Sequence, residues 1–194
     1  SSIIREDWEL IILRNQIYNN AGDGIKLVGS TGNSSSGCSN FTIFNNNISH
    51  HAGEAIYSVG GIKNIIALNT IKANWLSGIH ASYSSNLTVR DNYIEDNNRG
   101  PYINNGRPAL SDSSVYINGS DINRDASFML TFINNQIVDT GISNLVTKKG
   151  ITLHSDLDNI NDRDKSVITL DNNLIQNQII AENIEIDLNI LKLI

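Results

Sequence analysis

Three side chains able to move a proton or hold an anion, Lys26, Tyr57 and His80, recur at one place in successive short repeats of this sequence. Each follows by one residue an aliphatic one, Ile25, Ile56 or Ile79, in a segment that reads as a short strand. Period-two alternation turns the three outward, and strands stacked in one sheet bring equivalent side chains to about 5 Å. Abstraction of a proton α to a carboxylate needs a base near neutrality, an acid for the leaving oxygen and a cation for the enolate. His80, Tyr57 and Lys26 supply those types in that order. Asp23 and Glu54, just ahead of the first two strands, form a second column. Paired carboxylates suit glycoside hydrolysis, which asks for a separation of ~5–5.5 Å with retention or ~6.5–9.5 Å with inversion. A polar, solvent-facing ladder without chemistry would use the same residue types, so three readings stand side by side.

Around these columns lie residues suited to gripping a sugar polymer. Trp75 and Tyr83 offer flat faces for stacking, or simply pack locally. Arg99 and Arg107 can read a carboxylate bidentately. His50 and His51 are adjacent in a turn, where extended neighbours diverge, so a metal pair is disfavoured against plain turn residues. Asp156, Asp158, Asp162 and Asp164 make an acidic loop; calcium is the only cofactor it suggests, and the spacing and glycine of an EF-hand are missing. Cys38 is the single cysteine, so no intrachain disulfide forms and a surface thiol is expected. No phosphate-cradling loop, paired-cysteine metal site or nucleophile elbow is present.

The elements that must position these residues follow from an internal repeat. Asn-x-Ile occurs as Asn15-Gln16-Ile17, Asn46-Asn47-Ile48, Asn69-Thr70-Ile71, Asn92-Tyr93-Ile94, Asn135-Gln136-Ile137 and Asn173-Leu174-Ile175. The asparagines are 31, 23, 23, 43 and 38 residues apart, a basic period of 23 with insertions in three intervals. Five residues before each isoleucine stand Ile12, Ile43, Ile66, Val89, Phe132 and Leu170, and seven before it Leu10, Phe41, Asn64, Leu87, Leu130 and Ile168. Between them lie Ile11, Thr42, Ile65, Thr88, Thr131 and Thr169. That is strand alternation, apolar inward and mostly β-branched outward. After each of the first five anchors comes a second strand, at Gly24-Ile25, Ala55-Ile56, Gly78-Ile79, Pro101-Tyr102-Ile103 and Gly150-Ile151, placing Ile103 and Thr152 in the outward column. So short a unit cannot bury its apolar face alone, whereas stacked coils close a continuous core. Asparagine at a fixed turn position can donate and accept along such a stack. Helical repeats would want Leu/Ala-rich amphipathic stretches in place of Asn, Gly, Ile and Thr.

Asn-x-Ile followed by a Gly-Ile strand resembles the parallel β-helix repeats of the pectate-lyase-like superfamily, from about Leu10 to Ile180. The expected fold is therefore all-β, a right-handed parallel β-helix of six to seven coils, with residues 1–194 as one domain. The insertions fall after the second strand, at about Val28–Asn40, Asn105–Ser127 and His154–Lys165, and would wall a groove over it. The resemblance implies a polysaccharide cleft on that sheet. It does not fix an activity, because the scaffold hosts lyases, hydrolases, epimerases, tailspikes and non-catalytic modules. Polygalacturonase motifs (Asn-Thr-Asp, Asp-Asp, His-Gly) are absent, and Arg99 and Arg107 do not match the Arg-x-Pro-x-x-Arg of pectate lyases.

The leading expectation is a secreted or cell-surface polysaccharide lyase, or a related enzyme, acting on a uronate-containing polymer. The alternatives are a non-catalytic carbohydrate-binding, adhesin-like or tailspike-like module, and a glycoside hydrolase using Asp23 and Glu54. A net charge of −6 gives no electrostatic footprint for nucleic acid or anionic lipid. No apolar run approaches the ~20 residues of a membrane span, and no signal peptide is seen. The start at Ser1-Ser2-Ile3, the missing capping helix and the strand-like alternation of Ile184 to Ile190 are expected of a processed or longer native protein. Sugar identity and oligomeric state stay open.

Overall fold

The computed structural model describes residues 9–28, 40–82, 85–99, 113–118, 129–140, 149–155, 167–177 and 184–188. Among these all regular structure is strand, arranged in three parallel six-stranded sheets. Each coil contributes one strand to each sheet, and each strand pairs in register with its equivalents one coil away. The first sheet begins with Leu10–Leu13 and Phe41–Phe44, the second with Gln16–Tyr18 and Asn47–Ser49. The third consists of Ile25–Val28, Ile56–Val59, Ile79–Ser82, Ser113–Asn118, Lys149–Ser155 and Ile184–Leu188. This is a β-helix of six coils.

The core is built from the inward positions that alternation assigned. Phe41, Ile43, Ile66, Leu87, Val89, Leu130 and Phe132 come from the first sheet, Ile48, Ile71, Ile94 and Ile137 from the second, and Ile56, Ile79, Ile117, Ile151 and Leu153 from the third. All are buried. At roughly 1.5–3 kcal/mol per buried aliphatic side chain, this core is the main stabilising contribution. Asn64 is the exception at an inward position. It enters through a tight turn with positive φ at Gly60, Gly61 and Lys63, and its Oδ1 accepts the Phe41 N–H at 3.4 Å.

The turn between first and second sheets has the same form in every coil. A left-handed residue comes first: Arg14, Asn45, Leu68, Asp91, Asn134 or Asn172, with φ between 48 and 57°. The anchor asparagine follows. From Asn15 to Asn135, each anchor's backbone N–H and side-chain amide both donate to Oδ1 of the next one, at 2.9–3.1 Å. The anchor side chains from Asn46 onward also donate to a carbonyl in the coil before, such as Asn92 to Ile66 at 2.9 Å. The ladder thus fills hydrogen-bonding needs that a buried turn cannot meet with water.

A second ladder runs down the next turn, and it explains the histidine pair. The Asn74 N–H donates to Asn97 Oδ1 at 3.2 Å, and that of His51 to Asn74 Oδ1 at 3.0 Å. Asn20 in turn donates to His51 Nδ1 at 3.2 Å, while His51 Nε2 lies 3.2 Å from the Ile17 carbonyl. The imidazole therefore stands in for an asparagine, accepting at one end and donating at the other. That fixes the neutral ring with hydrogen on Nε2. Burial pushes the His51 pKa down, its hydrogen bond to Ile17 opposes this, and His50 adds to the lowering. His50 holds the left-handed position at φ 59° and is exposed.

One expected strand is corrected. The fourth place in the third sheet belongs to Ser113–Asn118, which pairs with Ile79–Ser82 on one side and Lys149–Ser155 on the other. The expected strand, Pro101 to Asn104 with Ile103, lies outside the described residues. Tyr116, in register with both His80 and Thr152, takes the outward position assigned to Ile103. The expected insertion at Asn105–Ser127 is therefore divided by a strand.

Candidate functional site

On the third sheet Lys26, Tyr57, His80, Tyr116 and Thr152 follow one another in register. The expected column exists, and its aromatic members touch. The Lys26 Nζ lies 5.4 Å from the centre of the Tyr57 ring. His80 is wedged edge-on between Tyr57 at 4.9 Å and Tyr116 at 5.0 Å. Exposure falls steeply along it, however. The Lys26 side chain is 50% exposed, Tyr57 half-buried, and His80, Tyr116 and Thr152 buried. The reading of this column as a solvent-facing ladder thus fails beyond the second coil.

Asp23 and Glu54 form the adjoining column. The Glu54 backbone N–H donates to Asp23 Oδ1 at 3.1 Å. Gly53 makes this approach possible, because a side chain there would collide with Asp23 Oδ1. Asp23 Oδ2 also lies 3.7 Å from Lys26 Nζ. Glu54 is buried, and its Oε1 sits 3.2 Å from His80 Nδ1. Burial alone would push the Glu54 carboxyl up. The hydrogen bond with His80, that with Asp23 and the charge of His80 outweigh it and hold the group down at about 2. Glu54 is therefore a carboxylate through the ordinary pH range.

The other ring nitrogen, His80 Nε2, lies 2.9 Å from Ser82 Oγ. Two residues apart on one strand, His80 and Ser82 point to the same face. Ser82 belongs to a second outward column, in register between Val59 and Asn118. Sequence reading missed this column, Ser82 included, although the alternation that turns His80 outward also turns Ser82 outward. Tyr116 was missed because its strand lacks the Gly-Ile opening.

The sugar-gripping candidates are more scattered. Trp75, exposed at 41%, stands in the turn entering the third-sheet strand of its coil, and Arg99 occupies a later turn, half-buried. The Trp75 N–H donates to the His51 carbonyl and that of Arg99 to the Asn74 carbonyl, so the two hang on consecutive rungs. Tyr83, Arg107, Cys38 and the aspartates of the 156–164 loop lie outside the described residues. Among the described residues no cluster of three or more His, Cys, Asp or Glu could hold a metal ion.

Three parallel sheets wound coil upon coil, with an asparagine ladder at one corner, define a parallel β-helix protein. The chain belongs to the family described as right handed beta helix region, which matches residues 3–181. No curated protein and no solved structure matches it.

Proposed function

We propose that this β-helix is a carbohydrate-active enzyme that takes a uronate-containing polysaccharide across its third sheet and cleaves it by β-elimination. The single observation that carries the reading is the contiguous Lys26–Tyr57–His80 column, which runs from an exposed cation to a buried, carboxylate-oriented imidazole. Lys26 meets the uronate carboxylate and stabilises the enolate formed when the α-proton leaves. His80 Nε2 takes that proton, while Glu54 fixes the ring by accepting from Nδ1. Tyr57 gives its proton to the departing glycosidic oxygen, leaving a carbon–carbon double bond in the sugar. Trp75 and Arg99 extend the grip along the adjoining turn. The polymer that this chemistry needs lies outside cells, so the protein works in the extracellular space or at a cell surface.

The test is incubation with a panel of uronans while following the ultraviolet absorbance of the unsaturated product. Product formation that is lost in Tyr57→Phe and Lys26→Gln is the expected result. No product across the panel, or full activity in both variants, overturns the mechanism.

Burial of the column beyond Tyr57 favours a second reading, a non-catalytic stack that binds glycan or serves as a shaft. Glycan binding without bond cleavage would establish it. Hydrolysis by Asp23 and Glu54 is weaker, since Asp23 is committed to the Glu54 N–H and Lys26, and Glu54 to His80.

A further inference from the structure

Glu54, His80 and Ser82 form a continuous relay: carboxylate to Nδ1 at 3.2 Å, and Nε2 to hydroxyl at 2.9 Å. An ionised carboxylate only accepts, so Nδ1 carries the ring hydrogen and Nε2 is left to accept from Ser82 Oγ–H. That is the arrangement of an activated serine nucleophile, in which a base is itself oriented by a third group. All three side chains are buried, which strengthens the hydrogen bonds of the relay. Tyr57 and Tyr116 clamp the imidazole from both sides and hold it in the plane that the relay needs.

We infer that Ser82 is the nucleophile of an acyl-ester hydrolase, with His80 as its base and Glu54 as the residue that positions His80. Its substrate is an O-acyl group of acetyl size carried on a polysaccharide. A buried hydroxyl beside Val59 is reached by a small apolar pendant group more readily than by a carbon of the sugar ring. In the first step Ser82 Oγ bonds to the ester carbonyl carbon as Nε2 takes the hydroxyl proton. The proposal gives the amide of Asn118, in register with Ser82 on the next coil, the part of donor to the oxyanion. The intermediate collapses with cleavage of the bond to the sugar oxygen, which receives the proton from Nε2. Water, deprotonated by Nε2, then attacks the acyl-serine, releasing the carboxylic acid and restoring Ser82. The net change is ester plus water to alcohol plus acid, and no other reagent is required. This inference rests on the polysaccharide reading of the sheet but not on β-elimination.

The full chain is treated with a fluorophosphonate probe, and the modified residue is located by mass spectrometry. In parallel it is incubated with an acetylated uronan, and both free acetate and unsaturated product are measured. Labelling at Ser82 is expected, together with acetate release that falls by ~10³-fold or more in Ser82→Ala. Glu54→Gln should slow release and displace the acid limb of the pH–rate profile, which a loss of packing alone would leave in place. Absence of label at Ser82, or equal acetate release by Ser82→Ala and the parent, overturns the inference. Acetate without unsaturated product upholds the serine relay and sinks elimination, whereas the reverse pattern sinks the relay alone.

Discussion

Replacing Asn92 by alanine isolates the asparagine ladder. Asn92 is 1% exposed, and its Oδ1 accepts both the backbone N–H and the side-chain amide of Asn69, each at 3.0 Å. Its own amide donates to the Ile66 carbonyl, the Arg90 carbonyl and Asn135 Oδ1 at 2.9–3.0 Å. In Asn92→Ala the Asn69 side chain keeps its bond to Ile43, and Asn135 Oδ1 keeps the Asn92 N–H. The buried Asn69 N–H keeps no acceptor. Stranding one buried donor costs roughly 1–3 kcal/mol, and the lost donations to Ile66 and Asn135 add roughly 0.5–1.5 kcal/mol each. The expected loss is therefore about 4 kcal/mol. Asn92→Asp should be no better, because its second oxygen would face the Ile66 carbonyl and Asn135 Oδ1, acceptor against acceptor. Asn15→Ala is the control. Asn15 is exposed in the first coil, where its side chain only donates, to Asn46 and Leu13, so a loss under about 1 kcal/mol follows. Urea unfolding followed by circular dichroism gives the free energies, and hydrogen exchange at the Asn69 amide reports the local effect should the coils not unfold together. If Asn92→Ala lies within 1 kcal/mol of Asn15→Ala and the Asn69 amide stays protected, the ladder does not stabilise as argued.

Three further outcomes follow from the same geometry. His51 has its folded pKa lowered below 6.5, so its contribution is present above that pH and is lost as pH falls through the folded value. His51→Asn keeps the acceptor and donor without the titration, and thermal melts between pH 5 and pH 8 should show a flatter profile; an unchanged slope contradicts the surrogate role. Glu54 is depressed from 4.5 to about 2, so its contribution is complete above 4.5 and is lost between those values. Acid unfolding of Glu54→Gln should lack that limb. Leu68 is held at φ 55° with 46% exposure, where sister coils carry Asn45, Asn134 and Asn172. Leu68→Asn should relieve about 1 kcal/mol of left-handed strain, and a midpoint no higher than the parent's argues against it.

The architecture was legible because each coil repeats one physical demand. An anchor must meet the turn's hydrogen bonds, so Asn15 through Asn173 stay recognisable however long the intervening loops become. Inward aliphatics are equally constrained by the core. The third sheet was only partly legible. Its strands at Gly24, Ala55 and Gly78 open on a small residue, since a side chain on Gly24 would meet His51 and Ala55 and one on Gly78 would press on Asn97, whereas Ser113–Asn118 carries no such mark in the sequence. Of the candidate site, alternation and register brought Lys26, Tyr57 and His80 into one column. Burial was not legible, because outward on a strand does not mean wet when the outer face is covered. Nor could alternation show that Glu54 and Ser82 meet opposite ends of one imidazole, since that depends on rotamers. His51 was ambiguous for a plain reason: a residue replacing asparagine in a ladder looks, in sequence, like one half of a histidine pair.

The ladder also gives the stack a direction. Every side-chain carbonyl from Asn46 to Asn173 points toward the coil before it, where the preceding asparagine donates. The amides therefore align head to tail along the axis, a column of dipoles with oxygen at the N-terminal face and N–H at the C-terminal face. Two copies brought together by like faces would set oxygen against oxygen, or N–H against N–H, across the joint. Only head-to-tail addition continues the column, so the molecule carries a built-in polarity for whatever extends it.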